Sequence, residues 1–223
     1  VTGNAPSRVL GTMLDAAARG RFPPADGRVD VVPAPPGARA AVVAFTGHFV
    51  VAADVDPDSI HRRLPTGDLS APLSPPFLVW LSEQVGRLPS SHDVVLCALG
   101  HGAGAPAWLV RSDDVAHPRV ERAARYRDAV SVLTTTDGAG VIALGRGLCG
   151  RWEVGYEVTP AARGGGLGRD LAAAARGLVR AGEPLWSQVA PGNAASLRST
   201  TAAGFVPIGA EVLFARTGDA PPG

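Results

Sequence analysis

The sequence predicts an α/β (α+β) protein: a mixed, mostly antiparallel sheet flanked by helices, preceded by an N-terminal mixed α/β lobe. Three observations carry this. Apolar residues alternate with period two in several short runs and recur at helical spacing in others, so both element types are present. In the second half, grouped strand patterns are followed by a strand, helix, strand alternation, an order that suits a mixed sheet with helices on its faces. Hydrophobic content of 46% and charged content of 18% across 223 residues allow a substantial core.

In chain order, Val9, Leu10, Met13, Leu14 and Ala17 mark a first helix over residues 7–19, which Phe22 to Gly27 ends. Residues 29–32, 40–45 and 49–53 read as strands, the last two joined by a hairpin at Thr46-Gly47-His48. Asp56 is placed to cap a short helix through Leu64, and an amphipathic helix is expected from Phe77 to Leu88, before a strand at 94–99. The run Gly100 to Pro106 has the composition of a flexible connector. A chain of this length allows one large or two small domains. The expected division is therefore a lobe of residues 1–104, a domain of 105–216 and a flexible tail of 217–223.

The second half continues with a strand at 108–110, a helix over 117–128, and strands at 129–135, 140–145 and 152–158. Then come a glycine loop, a helix from Leu171 to Val179, a strand at 184–190, a helix opening at Asn193 and a last strand at 211–214. Gly145-Arg-Gly-Leu-Cys-Gly150 matches a dinucleotide fingerprint in letters only. That motif requires a helix directly after it, whereas Trp152 to Val158 alternates as a strand, so a hairpin turn is expected.

All 21 basic residues are arginine, which removes lysine Schiff bases and Walker lysines, and fits a GC-rich, bacterial coding sequence. With 20 acidic residues the net charge is +1 and the arginines are dispersed, so no nucleic-acid partner is expected. No apolar run approaches a membrane span, and the N-terminal residues lack the pattern of a secretory signal, so a cytoplasmic, membrane-independent protein is expected. Cys97 and Cys149 read as buried or incidental thiols. The five histidines have no metal spacing, so no metal is expected. No serine stands in a nucleophile elbow.

The most informative segment is Arg163-Gly-Gly-Gly-Leu-Gly-Arg169, set between the strand at 152–158 and the following helix. The first amides of a helix have no partner within it, and the helix dipole, with Arg163 and Arg169, favours negative charge. Glycines at 164, 165, 166 and 168 let a ligand approach the backbone. The segment reads as a cradle for a pyrophosphate.

Arg-x-x-Gly-x-Gly after a strand resembles the acyl-CoA loop of the GNAT superfamily of N-acyltransferases. Asn193-Ala-Ala-Ser196 opening a helix, with Gly204-Phe205 and a final strand, is similar to the C-terminal motif of that family. Asn4 is the chain's one other asparagine. The resemblance covers roughly residues 105–216. It implies transfer of an acetyl group from acetyl-CoA, the cosubstrate, to an amine by direct attack. The cosubstrate would lie against Val158, Arg163, Gly164, Gly165, Gly166, Leu167, Gly168, Arg169, Asn193 and Ser196. The implied partner is an amine-bearing small molecule or peptide, and a homodimer is compatible with this. The alternative is a non-catalytic acyl-CoA-binding sensor. The N-terminal lobe lacks the loop signature, whether or not it is a degenerate copy of the same fold.

Catalytic candidates follow from the need to deprotonate the amine, whose pKa near 10.4 for a lysine-like group leaves it charged at neutral pH. Glu153 and Glu157 share one face of a regular strand roughly 13 Å apart, too far for a glycosidase pair, so one of them would act singly. Glu153 is the first candidate, each glutamate being open also to a salt bridge with an arginine. A bulge would turn Tyr156 and Trp152 to the substrate instead. Many GNAT relatives place a tyrosine seven residues after the motif asparagine. Here that position is Thr200, leaving Tyr126 and Tyr156 as the phenols. The arginines from Arg119 to Arg127 fit a solvated helix face, or a contact for an acidic partner or the CoA 3′-phosphate.

Overall fold

The computed structural model describes residues 7–35, 40–65, 67–112 and 116–214, and the expected tail at 217–223 lies outside them. The elements in the first ninety residues are α1 (Ser7–Ala18), β1 (Val29–Val32), β2 (Ala41–Phe45), β3 (His48–Ala52), α2 (Pro57–Arg63) and α3 (Pro75–Val85). There follow β4 (Asp93–Leu99), β5 (Leu109–Arg111), α4 (Pro118–Tyr126), β6 (Asp128–Thr135), β7 (Gly140–Arg146) and β8 (Trp152–Val158). The last elements are α5 (Leu167–Gly177), β9 (Pro184–Val189), α6 (Ala194–Ala202) and β10 (Val206–Leu213). No helix among the described residues is long and apolar enough to cross a membrane.

The chain forms two compact units, residues 1–93 with 209–223, and residues 94–208. In the first, β1 runs parallel to β3, β3 pairs antiparallel with β2, and β2 pairs antiparallel with the end of β10, as Leu213 does with Ala41. Every residue of β2 and β3 is buried, which is why their sequences are continuous apolar runs rather than alternating ones. Val42, Val51, Ile60, Phe77, Leu81 and Phe214 form the core of this unit. Asp56 caps α2 by accepting from the amides of Asp58 and Ser59, as its position before the helix predicts. Buried His48 stands between Asp26, 3.0 Å from Nδ1, and Asp30, 3.3 Å from Nε2.

In the second unit the sheet order is β4, β9, β8, β7, β6, β5. All of these neighbours are antiparallel except β8 and β9, which run parallel. The sheet is mixed, mostly antiparallel and flanked by helices. Leu96, Ile142, Val154, Leu171, Leu185 and Phe205 lie in its main core. Gly145 and Arg146 end β7, and Gly147 to Arg151 make the turn into β8, as the strand pattern after it requires.

Two boundaries differ from expectation. The chain divides at Asp93–Val94 rather than near residue 104, because β4 pairs with β9 along its length and so belongs to the second unit, and it divides again at Ile208–Gly209 rather than near residue 216. The run from Gly100 is no loose connector. The amides of His101 and Gly104 donate to the carbonyls of Arg176 and Gly177 at the end of α5, and a Cβ on Gly100 would meet the carbonyl of Val179 at 2.7 Å. Glycine here serves close backbone approach rather than mobility.

Candidate functional site

The site is built where β8 and β9 part. Their parallel ladder holds Trp152 to Leu185, Glu153 to Trp186 and Val154 to Ser187, and ends there, while β8 continues to Val158 and β9 to Val189. Beyond the fork, β8 leads into the glycine loop and β9 into α6. The two elements singled out in the sequence therefore meet the same end of the sheet. Unbroken pairing of β7 with β8, from Gly140 opposite Val158 to Arg146 opposite Trp152, keeps β8 in regular register, with no bulge in it.

After β8, a single 3₁₀ turn at Pro160–Ala162 leads into the glycines. Gly164 (φ +88°) and Gly166 (φ +90°) occupy left-handed backbone that a side chain disfavours, and Gly166 is the cap residue of α5. No side chain caps α5, so its first-turn amides, those of Leu167, Gly168 and Arg169, have no side-chain cap partner at the positive end of the helix dipole. The helix begins four residues earlier than the alanine run implied, because Leu167, Gly168 and Arg169 enter it. Arg163 donates from Nε to the carbonyl of Val158 at 3.3 Å, while Arg169 pairs with Asp170 at 2.9 Å. Beside this first turn lies a shallow groove of about 410 Å³ walled by Pro106, Trp108, Asp170, Ala173 and Ala174.

Asn193 caps α6 through Oδ1, which accepts the Ser196 amide at 3.0 Å. Tyr156 crosses from β8 to this helix. Its hydroxyl lies 2.6 Å from Thr200 Oγ1 and 2.9 Å from Ser199 Oγ, and a Cβ on Gly168 would meet both Ser199 and the tyrosine ring. A phenol thus stands beside Thr200, although the tyrosine comes from another element. Tyr156 packs with Val154 and Val158 against the main core, on the α5 and α6 side of β8.

The opposite face of β8 carries Glu153, Gly155 and Glu157, and here sequence reasoning missed the partners. Glu153 is 1% exposed and accepts from Arg151 Nε at 2.8 Å, Arg127 Nε at 3.2 Å and the Leu148 amide at 3.2 Å. Burial pushes its carboxyl up, but Arg151 first and Arg127 next outweigh this and hold it below the usual carboxylate range. Burial also lowers the proton affinity of Arg127, with Glu153 opposing, yet a guanidinium stays charged. A carboxylate so neutralised is a poor proton acceptor, which argues against Glu153 as the base. Arg127 further donates to the carbonyl of Ala143 and to Gln188 Oε1, both at 3.2 Å, and Arg151 lies over the Trp186 ring.

Glu157 is different. Its side chain is 39% exposed and lies 3.4 Å from Arg119 Nε, on α4. The arginines of α4 are therefore not one solvated face: Arg119 and Arg127 turn to β8, and Arg122 lies over Tyr126. No local signal marked these contacts, because α4 and β8 are some thirty residues apart and meet only in the folded unit. Cys97 and Cys149 are thiols, not a disulfide. Among the described residues no group of three or more His, Cys, Asp or Glu side chains could hold a metal ion.

Solved structures similar to this chain include GNAT-family acetyltransferases. A GCN5-related N-acetyltransferase of Kribbella flavida aligns over 100% of this chain and 98% of its own, with 17% identity and a TM-score of 0.42. A candidate GNAT-family acetyltransferase of Novosphingobium aromaticivorans aligns over 56% of this chain and 63% of its own, at 19% identity and a TM-score of 0.39. A GCN5-related N-acetyltransferase of Sphaerobacter thermophilus aligns over 64% of this chain and 56% of its own, at 16% identity and a TM-score of 0.36. The alignments thus span less than two thirds of the second and third of these proteins. No family model and no curated protein matches the sequence. Likeness at this level assigns no residue, and the reading below rests on the geometry of the fork and its loop.

Proposed function

We propose that residues 94–208 form an acyltransferase unit that binds acetyl-CoA at the β8–β9 fork and passes its acetyl group to an amine. One observation carries this: an uncapped helix start, preceded by glycines in left-handed backbone and flanked by Arg163 and Arg169, stands at the open end of two parting parallel strands. The pyrophosphate would lie on Gly164 to Arg169, where the amides and the helix dipole favour a dianion. The pantetheine arm would run into the fork past Val158, Asn193 and Ser196, and the groove at Trp108 would give the nucleoside end an apolar wall.

The reaction is direct attack of a neutral amine on the thioester carbon, with no acyl-enzyme. The new C–N bond forms, the C–S bond breaks, and the amine proton passes to Glu157, directly or through water, since Glu153 is held by its two arginines. The Tyr156 hydroxyl is the phenol nearest α6 and would return a proton to the departing thiolate, itself a good leaving group with a pKa near 8.5. The second reading, an acyl-CoA sensor without turnover, draws on Thr200 at the tyrosine position of the family. Release of free CoA thiol from acetyl-CoA, measured with and without a panel of amines, decides between them. Amine-dependent release supports the enzyme, and saturable binding without release supports the sensor.

A further inference from the structure

The charged face of β8 says what kind of amine the fork would take. Three guanidinium groups, those of Arg119, Arg127 and Arg151, stand against two carboxylates, those of Glu153 and Glu157. Arg127 and Arg151 are 11% and 6% exposed and divide Glu153 between them, with Ala143 and Gln188 completing Arg127. Arg119, 33% exposed, is the most open of the three and faces Glu157, itself 39% exposed. Its Nε is shielded from solvent and makes no hydrogen bond, Glu157 lying 3.4 Å away as a neighbouring charge only.

The place matters as much as the charge. Gly155, the first residue of β8 past the fork, lies between these groups, and a Cβ there would meet Arg119 Cδ and Arg127 Nη1 at 3.3 Å. Glycine lets the guanidinium groups lie directly over the strand where β9 has departed. The other face of β8 is apolar at Val154 and Val158 and bonded to α6 at Tyr156. On β8 past the fork, the charged side chain, Glu157, stands on the α4 face, beside Arg119.

Building on the acyl-transfer reading, we infer that the acceptor carries a carboxylate beside its amine, as a free α-amino acid does, with Arg119 holding the carboxylate and Glu157 facing the amine. A zwitterion of this kind presents opposite charges on neighbouring atoms, which matches the Arg119–Glu157 pair. A guanidinium can hold a carboxylate by two parallel hydrogen bonds, which gives orientation as well as attraction. Glu157 then stands next to the nitrogen that must lose its proton.

The test is equilibrium binding of the twenty L-amino acids and their α-amides to the whole chain, read by thermal shift and calorimetry. At least one amino acid is expected to bind tenfold or more tightly than its amide. Arg119→Gln is expected to abolish that ratio and Arg119→Lys to keep part of it, both variants melting within a few degrees of the parent and keeping acetyl-CoA binding. Acids and amides that bind alike, or a ratio that survives Arg119→Gln, would overturn the assignment. Acetyl-CoA binding measured on the same samples reports separately on the underlying reading. Its loss sinks acyl transfer, whereas indifference to the carboxylate in protein that binds acetyl-CoA overturns the acceptor class alone.

Discussion

Replacing Glu153 by alanine separates a structural carboxylate from a catalytic one. The change leaves Arg127 and Arg151 charged in a site where they are 11% and 6% exposed, and removes the acceptor of the Leu148 amide. Removing one partner of a buried ion pair costs about 3–5 kcal/mol, and the orphaned amide is part of that figure because neighbouring losses do not add. Against a total stability of about 5–15 kcal/mol this is a large share. At a urea m-value of about 2 kcal/mol/M the midpoint should fall by about 2 M, and tryptophan fluorescence reports it locally because Arg151 lies over Trp186. The sign of the pH dependence follows from the depressed carboxyl. The stabilisation is fully present above the unfolded pKa of about 4.3 and is lost as pH falls through the lower folded value. Parent and variant should therefore differ at pH 7 and converge in acid. A loss under about 1 kcal/mol for Glu153→Ala, with CoA release abolished, would refute this and restore Glu153 as a reacting group.

Other expectations follow from the same geometry. Gly147→Ala should act like a weaker Glu153→Ala, because the new methyl group would occupy the space of the Glu153 carboxyl, and urea unfolding should show it. Gly166→Val should cost about 1–2 kcal/mol for a side chain at φ +90° and lose acetyl-CoA affinity beyond that, seen as a thermal shift smaller than the parent's. Asn193→Ala should remove the α6 cap and about 1 kcal/mol of stability by urea unfolding. Tyr156→Phe should lower kcat while leaving the KM for acetyl-CoA unchanged, with about 1 kcal/mol of stability lost with the hydroxyl contacts.

Local chemistry decided what the sequence disclosed. The alternation of Trp152 to Val158, the glycines at 164–168 and Asn193 before a helix are short-range signals: β8 and the start of α6 formed where their patterns placed them, and α5 began within the glycine segment. Contacts between distant elements were silent. Nothing in Arg127 or Arg151 announces a buried carboxylate, and Glu153 looked like a base because alternation places it on a face without saying what covers that face. Gly100 to Pro106 misled for a related reason: the glycine composition that loosens a free linker also permits close docking, and the partner at the end of α5 lies some seventy residues on. The boundary at Asp93–Val94 depends on β4 pairing with β9, ninety residues apart.

The most direct measurement is the melting temperature of the whole chain with and without acetyl-CoA, beside Arg163→Glu and Gly166→Val. At about a hundred times its dissociation constant the ligand should add roughly 2.7 kcal/mol to the folded state of the parent. A clear upward shift that both variants lose is the predicted result. No shift with acetyl-CoA or any longer acyl-CoA would contradict the assignment of the loop and, with it, acyl transfer at the fork.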